Sequence, residues 1–362
     1  MLKMKVQDMT IEYTTTPKEK PDLSTLVFGK TFTDHMFVMD YEEGKGWHDA
    51  RIVPYGDMTI SPAAMVFHYG QTVFEGLKAY KNEAGEITLF RPDENMKRLN
   101  ASNDRLCMPH VDGEFVIDAM KKLIAIEKDW VPAKAGMALY VRPVMFATEA
   151  YLGVAPSKKY RFLILLSPVG AYYKEGINPV KIAVEGEYVR AVKGGTGAAK
   201  TAGNYASSLK AQEVAEANGY SQVLWLDGRE HKYIEEVGAM NVFFKINGEI
   251  VTPALNGSIL PGITRKSVVQ LLTHWGENVV ERQLSIDELI EAANNGQLEE
   301  AFGTGTAAVI SPIGELFYNG QKIVVNEGEI GTLAQKVYDT ITGIQFGTVE
   351  DPFDWRVQVA TT

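Results

Sequence analysis

The chain of 362 residues is 45% apolar and 23% charged, a composition typical of a globular protein large enough for two domains. Its formal net charge of −10 disfavours a general nucleic-acid-binding protein, which usually carries a basic excess. The single cysteine excludes an intrachain disulfide, and no run of about 18 apolar residues predicts a membrane span.

The N-terminal segment has no apolar signal core, and Asp8 and Glu12 disfavour a transit peptide. We therefore expect a cytoplasmic protein. Cys107 has no neighbouring pattern of a catalytic nucleophile, so we expect it to be a packed structural thiol.

The first half of the chain is predicted to combine strands with two helices. Strands and turns are predicted over residues 20–90. They begin with a strand-like run over 26–41 and end in a hairpin over 77–92, where two strand-like runs flank a glycine-containing turn. In a helix that begins near residue 114, apolar residues recur at helical spacing. These apolar residues are Val116, Met120, Leu123 and Ile124. The remaining elements are a helix over 95–107 and strands over 138–147 and 160–170.

Ser-Pro, Asn-Pro and two glycines at 167–180 predict a linker between a small N-terminal domain, 1–166, and a larger C-terminal domain, 181–362. In the second domain we expect hairpin turns at Asn247-Gly248 and Asn319-Gly320. Predicted strands are 180–191, 221–228, 240–246, 249–255 and two or more within 299–324. Predicted helices are 205–219 (capped by Asn204 and Gly219), 263–276, 285–296 (capped by Ser285 with Glu288) and 331–343, which closes the chain. This mixture of hairpins and scattered helices is α+β.

The segment "VKGGTGAAKTAGNY", residues 192–205, raises the question of what Lys200 does. The residues 194–201 nearly match a nucleotide phosphate loop, but Ala199 stands where that motif needs glycine. No acidic strand end that could hold magnesium is evident, and we expect no metal site. The alternatives are a surface lysine and a lysine whose amine is the reactive group, with glycines that let a cofactor approach the backbone.

Three further segments favour the reactive amine. Glu235 and Glu236 lead into an apolar strand, where a carboxylate can hold a proton on the ring nitrogen of pyridoxal phosphate. "LPGITR" predicts a helix start whose N–H groups could bind phosphate, and "FGTGTAA" suits close approach of an anion to the backbone. Each segment taken alone also fits an ordinary surface carboxylate, helix start or turn.

Together the motifs resemble those of branched-chain amino acid aminotransferases, which are fold-type IV pyridoxal-phosphate enzymes with two domains, the second a pseudo-barrel. The resemblance runs from about residue 26 to 308 and rests on the following segments: "VFGKTFTDHM", "VFEGLKAY", "LFRPDENMKRLN", "LYVRPV", "SPVGAYY", "GGTGAAKTAGNYASSLKAQ", "QVLWLDG", "EVGAMNVFF", "LNGSILPGITR" and "FGTGTAA".

The resemblance implies that Lys200 forms a Schiff base with pyridoxal phosphate and shuttles a proton. Tyr205 would bind the phenolic oxygen of the cofactor. Glu236 would pair with its ring nitrogen, whereas strand alternation points its rival Glu235 the other way. The phosphate would be held by Arg98, Ile263, Thr264 and Thr306.

On the substrate side the resemblance implies an apolar wall of Phe28, Phe74 and Tyr140, with Arg142 on the same strand face as Tyr140. The backbone of Thr306 and Ala307 would bind the α-carboxylate. Leu152 and Val154 match a loop that reaches the site of a neighbouring subunit, which implies a homodimer. Ala308 and Ser311 replace the Cys-x-x-Cys pair of some relatives, so we expect no thiol switch there.

The expected substrates are leucine, isoleucine, valine, glutamate and their 2-oxo acids, and no nucleic acid or membrane is expected as a partner. A D-amino acid aminotransferase or an aminodeoxychorismate lyase, which share the lysine and the glutamate, is one alternative. A nucleotide-binding phosphotransferase built on residues 194–201 is the alternative from another class.

Overall fold

The computed structural model describes residues 5–170 and 177–360. Their strands are, in chain order, β1 (Thr10–Ile11), β2 (His35–Glu42), β3 (Gly46–Pro54), β4 (Thr72–Phe74), β5 (Leu77–Lys81), β6 (Ile87–Phe90), β7 (Ala138–Ala147), β8 (Lys159–Val169), β9 (Val180–Val184), β10 (Gln222–Leu226), β11 (Ile234–Val237), β12 (Asn241–Ile246), β13 (Glu249–Thr252), β14 (Val279–Glu281), β15 (Leu298–Gly305), β16 (Val309–Tyr318), β17 (Gln321–Val324) and β18 (Arg356–Val359). The helices are α1 (Met65–Tyr69), α2 (Pro92–Arg105), α3 (Gly113–Ile126), α4 (Ala202–Ala217), α5 (Ile263–His274), α6 (Ile286–Asn294) and α7 (Thr332–Phe346).

The described residues form two compact units. The first contains residues 5–170, 199–202 and 343–360, and the second contains 177–198 and 203–342. The predicted linker, 167–180, spans the change from one unit to the other, and its residues 171–176 lie outside the described residues. The mixture of sheets and helices agrees with the predicted α+β class. None of the described helices has the length and apolar character needed to cross a membrane.

The first unit is built on one sheet with the strand order β1-β3-β2-β8-β7-β5-β6-β18, and β4 pairs with β7. One face of the sheet packs against α3. Val116, Met120, Leu123 and Ile124 are all fully buried there, which confirms the periodicity seen in the sequence. The antiparallel hairpin of β5 and β6 is also confirmed.

The second unit has a sheet with the order β11-β10-β9-β16-β15-β12-β13-β14, and β17 pairs with β16. A tight turn links the first strand of this path to the sixth, because Val237 and Met240 exchange two backbone hydrogen bonds of 2.9 Å. The six strands thereby surround a core that includes Leu224, Phe244 and Leu289. This closure is the pseudo-barrel of the expected fold.

Two segments that the prediction placed in the C-terminal domain belong to the first unit instead. Residues 199–202 lie along β4, where Thr201 bridges to Val73. The chain does not close with a helix but with β18, which pairs with β6. Because these long-range pairings add chain to the first unit, it is the larger of the two rather than the smaller.

Three local predictions were wrong. Asn204 does not cap α4, which starts at Ala202, because its side chain bonds Thr196 instead. Residues 26–34 precede β2 without forming a strand; Thr33 instead donates its N–H to the carbonyl of Leu166. Cys107 is exposed rather than packed, since it occupies a left-handed turn (φ 55°) just after α2.

Candidate active site

The backbone on either side of Lys200 is fixed by the first unit. Phe74 donates its N–H to the Lys200 carbonyl at 3.0 Å, and the Lys200 N–H donates to Ser102 Oγ at 2.9 Å. The Thr201 hydroxyl donates to the carbonyl of Thr72 at 2.7 Å. The two bonds of Lys200 use its main-chain atoms, so they do not depend on the identity of its side chain.

The Lys200 amine lies 4.9 Å from the centre of the Phe74 ring. Burial, together with the guanidinium groups of Arg98 and Arg142, lowers the pKa of Lys200 to about 8, although Glu75 and Tyr140 oppose this shift. An amine with such a pKa is partly deprotonated near neutral pH and can act as a nucleophile or a base.

Arg98 lies on α2 with its guanidinium held by Glu75. Its Nε donates to Glu75 Oε1 at 2.7 Å and its Nη2 to Oε2 at 2.8 Å. Both side chains are buried. Sequence reasoning assigned Arg98 to phosphate but did not foresee Glu75, whose only signal was an acid within the apolar segment "VFEGLKAY".

Four predicted substrate residues form one group around Arg142. Its Nη2 donates to the Tyr140 hydroxyl at 2.9 Å, and its guanidinium lies 4.6 Å from the Phe74 ring centre. The Phe28 and Tyr140 rings meet edge to face at 4.9 Å between centroids. Within the described part of the chain, the buried Nε of Arg142 has no hydrogen-bond acceptor. The group therefore combines an aromatic wall with the cation of Arg142, whose Nε is a donor that could bind a substrate.

Sequence reasoning missed two residues, Gly76, which directly precedes β5, and Lys78, which lies on β5. A Cβ on Gly76 would lie 2.1 Å from the Tyr140 hydroxyl, so only glycine leaves room for that hydroxyl. Lys78 pairs with Tyr140 across β5 and β7, and burial lowers the pKa of Lys78 to about 8. Lys78 is therefore a second buried amine that an experiment must distinguish from Lys200.

Leu152 and Val154 lie on a loop of the first unit and are 62% and 85% exposed. The exposed apolar residues Phe67, Tyr69 and Tyr151 accompany them, and the Tyr69 hydroxyl donates to the Leu152 carbonyl. Apolar side chains grouped in this way are typical of a surface that another protein covers.

In the second unit, the two neighbouring glutamates of β11 have different hydrogen-bond partners. Glu236 accepts the Leu260 N–H at 2.6 Å and forms an ion pair of 3.0 Å with Arg190. Glu235 accepts from the Ser258 hydroxyl and from Asn256 Nδ2. Both carboxylates are buried, so neither is the ordinary solvated acid of the alternative interpretation. Both also brace residues 256–260, which lead into α5.

Tyr205 and Glu236 line the same small pocket of the second unit, together with Arg190, Asn204 and Leu260. Residues 256–262 end at the start of α5, where Gly262 provides no side-chain cap for the first N–H groups of the helix. Ile263 and Thr264 therefore begin a helix whose N-terminal N–H groups suit a phosphate.

Thr306 and Ala307 lie in the turn between β15 and β16. Val309 closes this turn with φ of 63°, a conformation that is costly for a β-branched residue and is typical of functional loops. The nearby Thr304 Oγ1 is buried, and no described residue provides it with a hydrogen-bond partner.

Residues 72–316 match the family described as amino-transferase class IV. The chain belongs to the class IV aminotransferases. It is 65% identical to branched-chain-amino-acid aminotransferase 2 of Bacillus subtilis, over 99% of this chain and 98% of that protein. It is 49% identical to the branched-chain-amino-acid aminotransferase of Mycobacterium tuberculosis, over 92% of each chain. The enzyme is thus a member of the branched-chain group.

Solved structures of branched-chain aminotransferases have the same fold as this chain. The crystal structure of the branched-chain amino acid aminotransferase of Escherichia coli superimposes with a TM-score of 0.74 at 27% identity, covering 90% of this chain and 99% of that one. The branched-chain aminotransferase of Thermoproteus uzoniensis with norvaline gives 0.75 at 26% identity, covering 90% and 100%. This membership overturns the phosphotransferase alternative. Gly197, close to Lys200 in the chain, is required by packing, since a Cβ there would lie 2.0 Å from the Ser258 carbonyl oxygen.

Proposed function

We propose that the enzyme transfers the amino group reversibly between L-leucine, L-isoleucine or L-valine and 2-oxoglutarate, with pyridoxal phosphate bound through Lys200. The observation that carries the proposal is the buried Lys200 amine, with its lowered pKa, beside Phe74, Arg142 and Tyr140. High identity to curated branched-chain aminotransferases supports the substrate class.

The residues present fit a phosphorylated pyridine cofactor. The uncapped N-terminus of α5 and the buried Arg98 are donors suited to a phosphate, and the orphaned Thr304 hydroxyl lies on the strand that leads to Thr306. When bound, the cofactor supplies an electron sink for the negative charge that develops at Cα. We assign its phosphate to Arg98, Ile263, Thr264 and Thr306.

Lys200 holds and moves the proton in this scheme. Its Nζ would take the proton from Cα of the amino acid and hold it until it is given back, which a pKa of about 8 permits near neutral pH. Glu236 would hold the ring nitrogen of the cofactor in its protonated form, and Tyr205, which lines the same pocket, would donate to its phenolic oxygen.

Phe28, Phe74 and Tyr140 form the wall for the branched side chain, and their packing around Arg142 supports this assignment. The backbone N–H groups of Thr306 and Ala307 bind the α-carboxylate that all substrates share. The exposed patch around Leu152 and Val154 supports a homodimer in which this loop is covered by a second copy. We also propose a cytoplasmic location.

One pocket must accept both leucine and the carboxylate arm of glutamate, because the two half-reactions share it. We assign the carboxylate arm to the guanidinium of Arg142. Arg142→Met should therefore raise KM for glutamate and 2-oxoglutarate while leaving the leucine half-reaction nearly intact. We expect a loss of about 2–4 kcal/mol in kcat/KM for the acidic substrates, the cost of removing one partner of a desolvated charge pair.

Single-turnover reactions with each amino acid, followed by the absorbance of the cofactor, separate the two half-reactions. Arg161→Met is the matched control, because Arg161 lies on the neighbouring strand β8 and pairs with Asp40 instead. Equal losses for leucine and glutamate in Arg142→Met would mean that Arg142 holds the α-carboxylate or is only structural.

A panel of amino donors with 2-oxoglutarate tests the proposed function. L-leucine, L-isoleucine and L-valine should be good donors, and D-alanine should be inert. A preference for D-alanine would instead identify a D-amino acid aminotransferase. Release of pyruvate from aminodeoxychorismate without transfer to 2-oxoglutarate would identify the lyase.

A further inference from the structure

Beside Lys200 lies a buried carboxylate to which the proposed roles assign no task. Glu75 directly follows β4 and is completely buried. It accepts two hydrogen bonds from Arg98, at 2.7 and 2.8 Å, and its Oε2 also accepts from Asn95 Nδ2 at 2.7 Å. The Gly76 N–H also donates to Oε2, at 3.3 Å, and these four donors at full burial hold the carboxylate in one orientation.

Glu75 fixes the guanidinium of Arg98 in turn. The two bonds run to Nε and Nη2, a bidentate arrangement that sets both the plane and the rotation of the guanidinium. Without Glu75 the arginine would keep its charge but lose this orientation.

The same carboxylate acts on Lys200 by charge. Arg98 and Arg142 both lower the pKa of Lys200, and Glu75 raises it. Without Glu75 the two guanidinium groups would lower the pKa of Lys200 further, so the carboxylate helps to set how much of the amine is protonated near neutral pH.

We propose that Glu75 is a positioning residue for the reaction, acting through the orientation of Arg98 and through the negative charge that it places beside Lys200. This inference rests on the proposed function, because Arg98 and Lys200 take their roles from it.

Two substitutions separate orientation from charge. Glu75→Gln removes the charge and one acceptor, whereas Glu75→Asp keeps the charge but shortens the reach to Arg98. Asp93→Asn is the matched control, since it removes an exposed carboxylate that pairs with Lys97 on the helix that carries Arg98. Two quantities are measured in each holoenzyme. One is the pH midpoint at which protonation of Lys200 Nζ changes the absorbance of the bound cofactor, and the other is the Kd of pyridoxal phosphate.

Glu75→Gln should lower the pH midpoint by about one unit, the lower end of the shift that a close opposite charge produces. It should also raise the Kd about tenfold. Glu75→Asp should raise the Kd but leave the midpoint in place, and Asp93→Asn should change neither. The proposal is overturned if Glu75→Gln leaves both quantities at wild-type values, or if it lowers thermal stability and kcat without moving the midpoint.

If Glu75→Gln does not fold, Glu75→Asp carries the test, and an unchanged Kd in that variant overturns the proposal. A wild-type enzyme that shows no cofactor absorbance at all would count against the proposed function. A normal wild-type signal that the Glu75 variants leave unmoved would count against Glu75 alone.

Discussion

Lys200→Ala should abolish transamination while the protein stays folded. The fold survives because the bonds that anchor this loop to Phe74 and Ser102 use main-chain atoms of residue 200, which alanine retains. Activity should be lost because, under the proposed function, this side chain both attaches the cofactor and carries the proton. General base catalysis alone contributes about 10²–10⁴-fold, so the combined loss in kcat should reach at least about 10⁴-fold.

Steady-state rates with L-leucine and 2-oxoglutarate measure this loss, and thermal unfolding reports whether the fold is intact. Lys193→Ala is the matched control, since Lys193 is exposed in the same glycine-rich segment and should be dispensable. A folded Lys200→Ala protein with substantial turnover would contradict the assignment.

Glu236→Gln should reduce turnover far more than it weakens cofactor binding. A neutral amide cannot hold the proton on the ring nitrogen, so the negative charge at Cα loses its sink. Loss of a buried charge-assisted contact by itself costs about 1.5–3 kcal/mol in binding. The amide can still accept the Leu260 N–H, but the ion pair with Arg190 is lost, so binding should weaken moderately.

Glu235→Gln is the control for this variant, because Glu235 is equally buried on the same strand and braces the same loop through Ser258 and Asn256. Comparing kcat and the Kd of the cofactor in the two variants shows which of the two glutamates acts on the ring nitrogen. If Glu235→Gln is the damaging change and Glu236→Gln is close to neutral, the assignment of the two faces of β11 is reversed.

Features of the fold that are encoded within a few residues could be predicted from the sequence. Asn247 and Gly248 both have positive φ, 48° and 77°, as the hairpin between β12 and β13 requires. Ser285 accepts the Glu288 N–H at 3.1 Å, as the capping pattern predicts. Each of these signals needs only residues within the same turn, and the tertiary packing of this protein is compatible with both.

Features that depend on distant partners could not be predicted. The strand β18 has only four residues, and its pairing with β6 gives no local sign in the sequence. Asn204 is a residue type that often caps helices, but its side chain bonds Thr196, eight positions earlier in the chain, instead. In each case the contact that determines the structure lies outside the residues that carry the local sequence signal.

The candidate site shows the same division. The resemblance identified Lys200, Phe74, Tyr140 and Arg142, and the first unit brings them together. The residues that orient them were not apparent. Glu75 is 23 positions from Arg98, and the need for glycine at position 76 appears only once the Tyr140 hydroxyl is placed above it.

Borohydride reduction of the purified enzyme, followed by peptide mass spectrometry, tests the central claim most directly. The reduction makes the bond between the cofactor and its lysine permanent, so the labelled peptide identifies the reactive amine. We expect a pyridoxyl group on the peptide that contains Lys200 and none on the peptide that contains Lys78, although the pKa of each lysine is about 8. Label on Lys78, on any other lysine, or on none would contradict the account.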